Sequence, residues 1–196
     1  MTPVLRAAVA AFVTLAPLAT IAKADPNLAV GRANHAGYDR QRHCTMFAIA
    51  PRVAITASHC LRGLDAAQMQ LLFGYDRMGW ALHTNPTRAV DLGRDVTALC
   101  LAQDAPATLA IGEADGAETV DVIGYARRRQ HAQTDSACRI VSRDRDKLLL
   151  DCPQDPGTSG GPVLGADGGV IAMMSATARD ASFAVRLPAG AAEACR

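Results

Sequence analysis

An all-β fold is what this sequence predicts, on three observations. Apolar runs are short and are broken every few residues by Gly, Pro, Asp or Asn, as in chains made of many short antiparallel strands. No segment carries sustained helical periodicity. All six cysteines lie beyond residue 24 of a chain that opens like an exported one, so disulfides rather than long helices are expected to hold it together.

The opening 24 residues read as a signal peptide: Arg6 gives a positive start, Ala7 to Ile21 is mostly apolar, and Ala22-Lys23-Ala24 has the small-x-small form of a cleavage site. Pro17 interrupts the apolar run, which is too short to span a bilayer of about 20 helical residues. Cleavage after Ala24 would leave 172 residues with 18 Lys and Arg against 19 Asp and Glu. That balance gives no global attraction to nucleic acid or to an anionic membrane, so neither partner is expected. The protein is expected to be periplasmic or secreted, and monomeric.

Along the remaining chain, strands are expected at 45–50, 53–56, 68–73, 89–92, 97–101, 119–123, 139–142, 147–150, 162–164, 170–175 and 183–187. Alanine-rich stretches at 64–69 and 189–195 suit brief helices, the second as a C-terminal cap. Residues 102–107 lack periodicity and contain Pro106, which marks a linker between a first domain over 25–107 and a second over 108–196. Arg127-Arg128-Arg129-Gln130-His131 is the one dense basic run and reads as a solvated hairpin connection, with docking of anionic substrates or surfaces as the alternative.

Three short motifs carry chemistry. Gly157-Thr158-Ser159-Gly160-Gly161-Pro162 places a serine in a glycine-rich turn, where backbone N–H groups can converge on a developing oxyanion. A serine hydroxyl is a weak nucleophile at neutral pH and needs a base, for which His59 in Thr56-Ala57-Ser58-His59-Cys60 is the candidate. An imidazole in that role needs a carboxylate on its other nitrogen, and Asp95 in Gly93-Arg94-Asp95-Val96 can supply it. Each motif alone is a common loop or strand end; together, in the order His, Asp, Ser, they point to acyl transfer. A metal site is the rival for His43-Cys44 and His59-Cys60, but neither has the close spacing of zinc ligands, so no metal or other cofactor is expected.

These motifs resemble the chymotrypsin/trypsin-like serine proteases, in particular the short bacterial exported members that include glutamyl endopeptidases. The His motif differs from that family's Thr-Ala-Ala-His-Cys only at Ser58, and the Ser motif from Gly-Asp-Ser-Gly-Gly-Pro only at Thr158. The resemblance implies two six-stranded antiparallel Greek-key β-barrels with substrate in the cleft between them. It implies His59, Asp95 and Ser159 as the catalytic residues, the N–H groups of Gly157 and Ser159 as the oxyanion hole, and a protein or peptide substrate. Ser175, Ala176 and Thr177 would bind the substrate backbone and line the side-chain pocket, with Ser182 on the opposite wall. A Cys44–Cys60 bridge is implied as well. Cys138 and Cys152 flank a hairpin before the Ser turn and suggest a second bridge, which leaves Cys100 and Cys195 for a third.

Two departures matter. Animal members pair an Asp before the nucleophile with a freshly cut N-terminus; Thr158 cannot form that ion pair, so removal of the leader is expected to suffice. Pro153 stands where trypsin-like enzymes carry a pocket Asp, and Met174 stands near the His of glutamyl endopeptidases, which favours a small or medium uncharged side chain, while Asp151 and Asp155 are close enough in sequence to leave Arg or Lys open. The alternative to an active peptidase is a catalytically silent binding protein on the same fold.

Overall fold

The computed structural model describes residues 25–35, 43–113 and 116–196, and the expected signal peptide lies outside them. Thirteen strands are present among these residues. The first half holds β1 (Val30–His35), β2 (His43–Ala50), β3 (Val53–Ala57), β4 (Met69–Phe73), β5 (Leu82–Thr84), β6 (Pro86–Asp91) and β7 (Val96–Leu101). The second holds β8 (Thr119–Gly124), β9 (Thr134–Arg143), β10 (Lys147–Leu150), β11 (Pro162–Leu164), β12 (Val170–Thr177) and β13 (Ser182–Val185). Among the described residues, helical structure is confined to four 3₁₀ turns, at Ser58–Leu61, Ala66–Gln68, Arg127–Arg129 and Ala191–Glu193. The all-β expectation therefore holds, and the C-terminal cap is a single turn.

The second half closes into a six-stranded barrel in the order β10-β13-β12-β11-β8-β9. The first is a seven-stranded sheet ordered β5-β4-β1-β2-β3-β7-β6 whose two end strands, β5 and β6, are separated only by Asn85, so the expected plan of two antiparallel β-barrel halves holds. The additional members are β1 and β5, which the apolar pattern does not mark. In β1, Arg32 and Asn34 are polar yet buried, so the strand shows no alternation of apolar and polar residues. It lies between β2 and β4, with Asn34 opposite His43 on one side and Gln70 on the other.

Each half encloses its own apolar cluster. Met46, Leu71, Phe73 and Leu99 pack inside the first, and Val122, Leu148, Leu150 and Ala172 inside the second. A third cluster joins them, bringing Phe47, Ile55 and Val96 together with Tyr125, Met173 and Val185. Burying a side chain of this size contributes about 1.5–3 kcal/mol, so this shared cluster fixes how the halves meet and hence where their loops face each other.

Three disulfides complete the scaffold. Cys44–Cys60 ties β2 to the 3₁₀ turn after β3, Cys138–Cys152 brackets the β9–β10 hairpin, and Cys100–Cys195 joins β7 to the C-terminal turn across 95 residues of sequence.

Candidate active site

His59 sits in the 3₁₀ turn that follows β3, next to the bridged Cys60. Asp95 ends a run of three residues in the left-handed region, with Gly93, Arg94 and Asp95 at φ of 75°, 54° and 66°. Such backbone is unfavourable for the two non-glycine residues, and Asp is among the side chains that tolerate it best. The turn aims the carboxylate back at His59. Oδ2 lies 2.8 Å and Oδ1 3.1 Å from the imidazole Nδ1, while Oδ1 also accepts the His59 backbone N–H at 3.0 Å. The Ser58 N–H donates to the Asp95 carbonyl at 2.9 Å, so the two loops are locked in register.

A carboxylate can only accept, so Nδ1 carries the proton and Nε2 presents a lone pair. The Asp95 carboxylate also accepts from the Ser175 hydroxyl at 2.6 Å. Burial favours its neutral form, but the bonds from Ser175, the His59 ring and the His59 N–H, with the electrostatic pull of His59, outweigh burial and hold the carboxyl below its ordinary range. Asp95 is therefore an anion throughout the neutral range.

Ser159 arrives from the second half, on the turn that leads into β11. Neither its N–H nor that of Gly157 donates to a protein acceptor among the described residues, and such unpaired donors are what an oxyanion requires. The shape of this turn depends on its glycines. Gly157 has φ +101°, and a Cβ there would lie 2.4 Å from both His43 Nε2 and the Tyr125 carbonyl oxygen. A Cβ on Gly160 would lie 2.2 Å from the Thr45 carbonyl oxygen. The Ser159 hydroxyl donates to the Ser175 carbonyl at 3.4 Å and shares no hydrogen bond with His59.

Thr158 is buried, and both its N–H and its hydroxyl donate to the Asp155 carbonyl. The turn is thus tied down by its own chain.

The remaining expected contacts divide. Ala176 and Thr177 are exposed at the end of β12, and Ser175 is half-buried between Asp95 and Ser159. Ser182 differs from expectation: it is fully buried, accepts the Gln154 N–H at 3.0 Å and donates to the Cys152 carbonyl at 2.7 Å. Its hydroxyl is thus engaged with the 152–154 backbone, 3.4 Å from the Thr177 hydroxyl. Asp151 is turned onto Arg139, with Arg139 Nε 2.7 Å from its Oδ2, and Asp155 lies 3.7 Å from Arg128. Cys44, His59 and Cys60 come within 4.8 Å of one another, but both sulfurs are spent in one disulfide and offer no thiolate.

Two further residues shape the site without any sign in the sequence. Thr45 on β2 donates its hydroxyl to the Gly157 carbonyl at 2.8 Å, accepts the Tyr125 N–H at 2.9 Å and gives its own N–H to the Ser159 carbonyl at 2.8 Å. His43 is buried beneath Gly157, with Nε2 2.8 Å from the Tyr125 carbonyl. A side chain that acts on the site through backbone carbonyls and amides leaves no motif to find.

A β-sheet half and a β-barrel half meeting at a His–Asp pair and a glycine-rich serine turn define a trypsin-like architecture. The family model described as "Trypsin-like peptidase domain" matches residues 44–173, and the chain belongs to that family. No curated protein matches it in sequence. Among solved structures it is similar to a Glu endopeptidase (TM-score 0.70, 15% identity, covering 85% of this chain and 87% of that one). It is also similar to the active form of the Rv3671c protease from M. tuberculosis (TM-score 0.68, 19% identity, 95% and 92% covered). Against the VesB protease of Vibrio cholerae the TM-score is 0.67 at 13% identity, with 81% of this chain covered but only 60% of that one. At these identities the likeness concerns the fold.

Proposed function

We propose that this trypsin-like peptidase is an exported, monomeric serine endopeptidase, with its leader cleaved after Ala24 and its two domains at 25–107 and 108–196. The observation that carries the reading is the Asp95 carboxylate bound at 2.8 Å to the His59 ring while Ser159 stands on a turn with two unpaired N–H groups. The Ser159 hydroxyl turns from the Ser175 carbonyl to His59 Nε2 and gives up its proton as it attacks the scissile carbonyl. The oxygen of that carbonyl becomes an oxyanion held by the Gly157 and Ser159 N–H groups. Collapse breaks the C–N bond, the imidazolium returns the proton to the leaving amine, and water activated by the same ring hydrolyses the acyl ester. Asp95 stays ionised and stabilises the imidazolium.

Ser175, Ala176 and Thr177 support the acyl side of the substrate. The two carboxylates that most closely precede the nucleophile in sequence, Asp151 and Asp155, are engaged with Arg139 and Arg128, which favours an uncharged side chain in the pocket. The local bonds of Thr158 support activity without an N-terminal ion pair.

One observation favours the alternative of a silent binding protein on this fold: the Ser159 hydroxyl is hydrogen-bonded to Ser175 and not to His59. Labelling with a biotinylated organophosphonate separates the two. The peptidase reading requires modification of Ser159 that is abolished in Ser159→Ala and reduced in His59→Ala. Failure of the folded wild type to label would establish the silent reading.

A further inference from the structure

The basic run lies in the connection between β8 and β9, as one exposed 3₁₀ turn at Arg127–Arg129. Arg77, also exposed, comes to it from the loop after β4, where its N–H donates to the His131 carbonyl at 2.7 Å. We propose that Arg77, Arg127 and Arg129 form a docking surface for acidic side chains of the substrate segment on the leaving-group side of the scissile bond. This rests on the peptidase reading above and extends it to substrate class.

Charge is the first argument. Arg128 has Asp155 at 3.7 Å, whereas Arg77, Arg127 and Arg129 form no ion pair among the described residues. The chain as a whole is close to neutral, at a formal net charge of +1, so this is a local field and not part of a basic molecule. Its reach is about 8–10 Å at ordinary ionic strength.

The surface is also built in advance. Arg127 N–H donates to the Pro156 carbonyl at 2.7 Å, the buried Arg32 reaches the Gln130 carbonyl through Nη1 at 3.0 Å, and the Tyr75 hydroxyl lies 2.8 Å from His131 Nδ1. Both halves therefore hold the turn, and little backbone ordering remains for a ligand to impose.

Position selects the occupant. In the barrel, β11 lies between β12 and β8, and the Ser159 turn leads into β11. The acyl-side segment Ser175 to Thr177 extends from β12 on one flank, and the arginine turn extends from β8 on the other. Through Pro156 it adjoins Gly157, so a chain leaving Ser159 away from β12 passes over these arginines. The cavity they line with Gln130 and His131 measures about 350 Å³, at the small end of ligand pockets. Asp76, Asp135 and Asp155 line the adjoining cavities and interrupt any wider cationic face, which suits a short acidic segment over a long polyanion or a membrane.

The test uses internally quenched peptides that share one acyl-side sequence and carry Asp-Asp, Ser-Ser or Lys-Lys at the second and third leaving-group positions. The Asp-Asp peptide is expected to exceed the Lys-Lys peptide about tenfold in kcat/KM at low salt, two exposed charge pairs of ordinary strength. The gap should narrow as ionic strength rises. The double reversal Arg127→Glu with Arg129→Glu should invert the order. Equal rates for the three peptides in the wild type, or a preference for Asp-Asp that survives the reversal, would overturn the proposal and leave the peptidase reading intact. Fluorescence anisotropy of the same peptides on Ser159→Ala protein gives a readout that needs no turnover. If the wild type cleaved nothing, tighter binding of Asp-Asp than Lys-Lys that the reversal inverts would keep the docking surface, and equal binding would remove it. Tighter binding of a sulfated oligosaccharide or of phosphatidylserine vesicles than of the Asp-Asp peptide would reassign the arginines to that partner and overturn the proposal.

Discussion

The half that carries His59 and Asp95 and the half that carries Ser159 prepare their groups in opposite ways. In the seven-stranded sheet, the contact atoms of the pair are committed: Nδ1 of the imidazole donates to the carboxylate, which also accepts from a backbone N–H and from Ser175. In the barrel, the essential feature of the serine turn is that two N–H groups have no partner among the described residues. An imidazole needs a fixed neighbour to set its tautomer, whereas an oxyanion hole needs donors held open. The first arrangement is assembled from side chains, almost entirely within one half. The second depends on the junction, because Thr45 and His43 of the sheet hold the turn that the barrel presents.

Breaking the committed pair should have the largest effect. Asp95→Asn is expected to lower kcat about 10⁴-fold while leaving organophosphonate labelling measurable but slow, since the amide no longer enforces the Nδ1–H tautomer. A loss below tenfold would mean that the carboxylate does not orient the base. Next comes the scaffold that keeps the halves in register. Loop-closure entropy assigns about 4.7 kcal/mol to a bridge closing about 100 residues and about 3 kcal/mol to one closing about 15. Removing Cys100–Cys195, whose separation is 95, should thus cost more in urea unfolding than removing Cys44–Cys60, whose separation is 16.

On the barrel side, Gly157→Ala should lower kcat about 10²–10³-fold, the loss expected when one oxyanion donor is misplaced. Trimming His43 in the same variant should restore little, because the new Cβ also meets the Tyr125 carbonyl and the backbone stays left-handed. Full rescue by that second change would show that His43 alone dictates the turn. The smallest effect concerns acid stability. The Asp95 carboxyl is held below its ordinary value, so its contribution is complete above that value and is lost as pH falls through the lower, folded one. Ser175→Ala removes one of the bonds that lowers it, and the acid limb of Tm should move to higher pH. Thermal unfolding followed between roughly pH 2 and 6 reads that shift.

Much of this was visible in the residues. The barrel strands lie near the runs that alternate or cluster apolar residues, and the chemical motifs are contiguous enough to stand out. The first sheet was harder to read, because β1 buries Arg32 and Asn34 and so hides a strand behind polar residues, while β5 spans only Leu82–Thr84. Ser182 misled for a related reason: sequence shows a small polar residue near a pocket but not which way its hydroxyl points. The positive φ at Asp95 and the support from Thr45 were invisible, since both depend on where distant backbone atoms fall.

The Cys100–Cys195 bridge has a consequence for a protein that cuts peptide bonds. Because it fastens the last turn of the chain onto the sheet half, any single cut between residues 100 and 195 leaves both fragments covalently attached. Nicked molecules should therefore run as intact chains on a non-reducing gel and separate only once reductant is added.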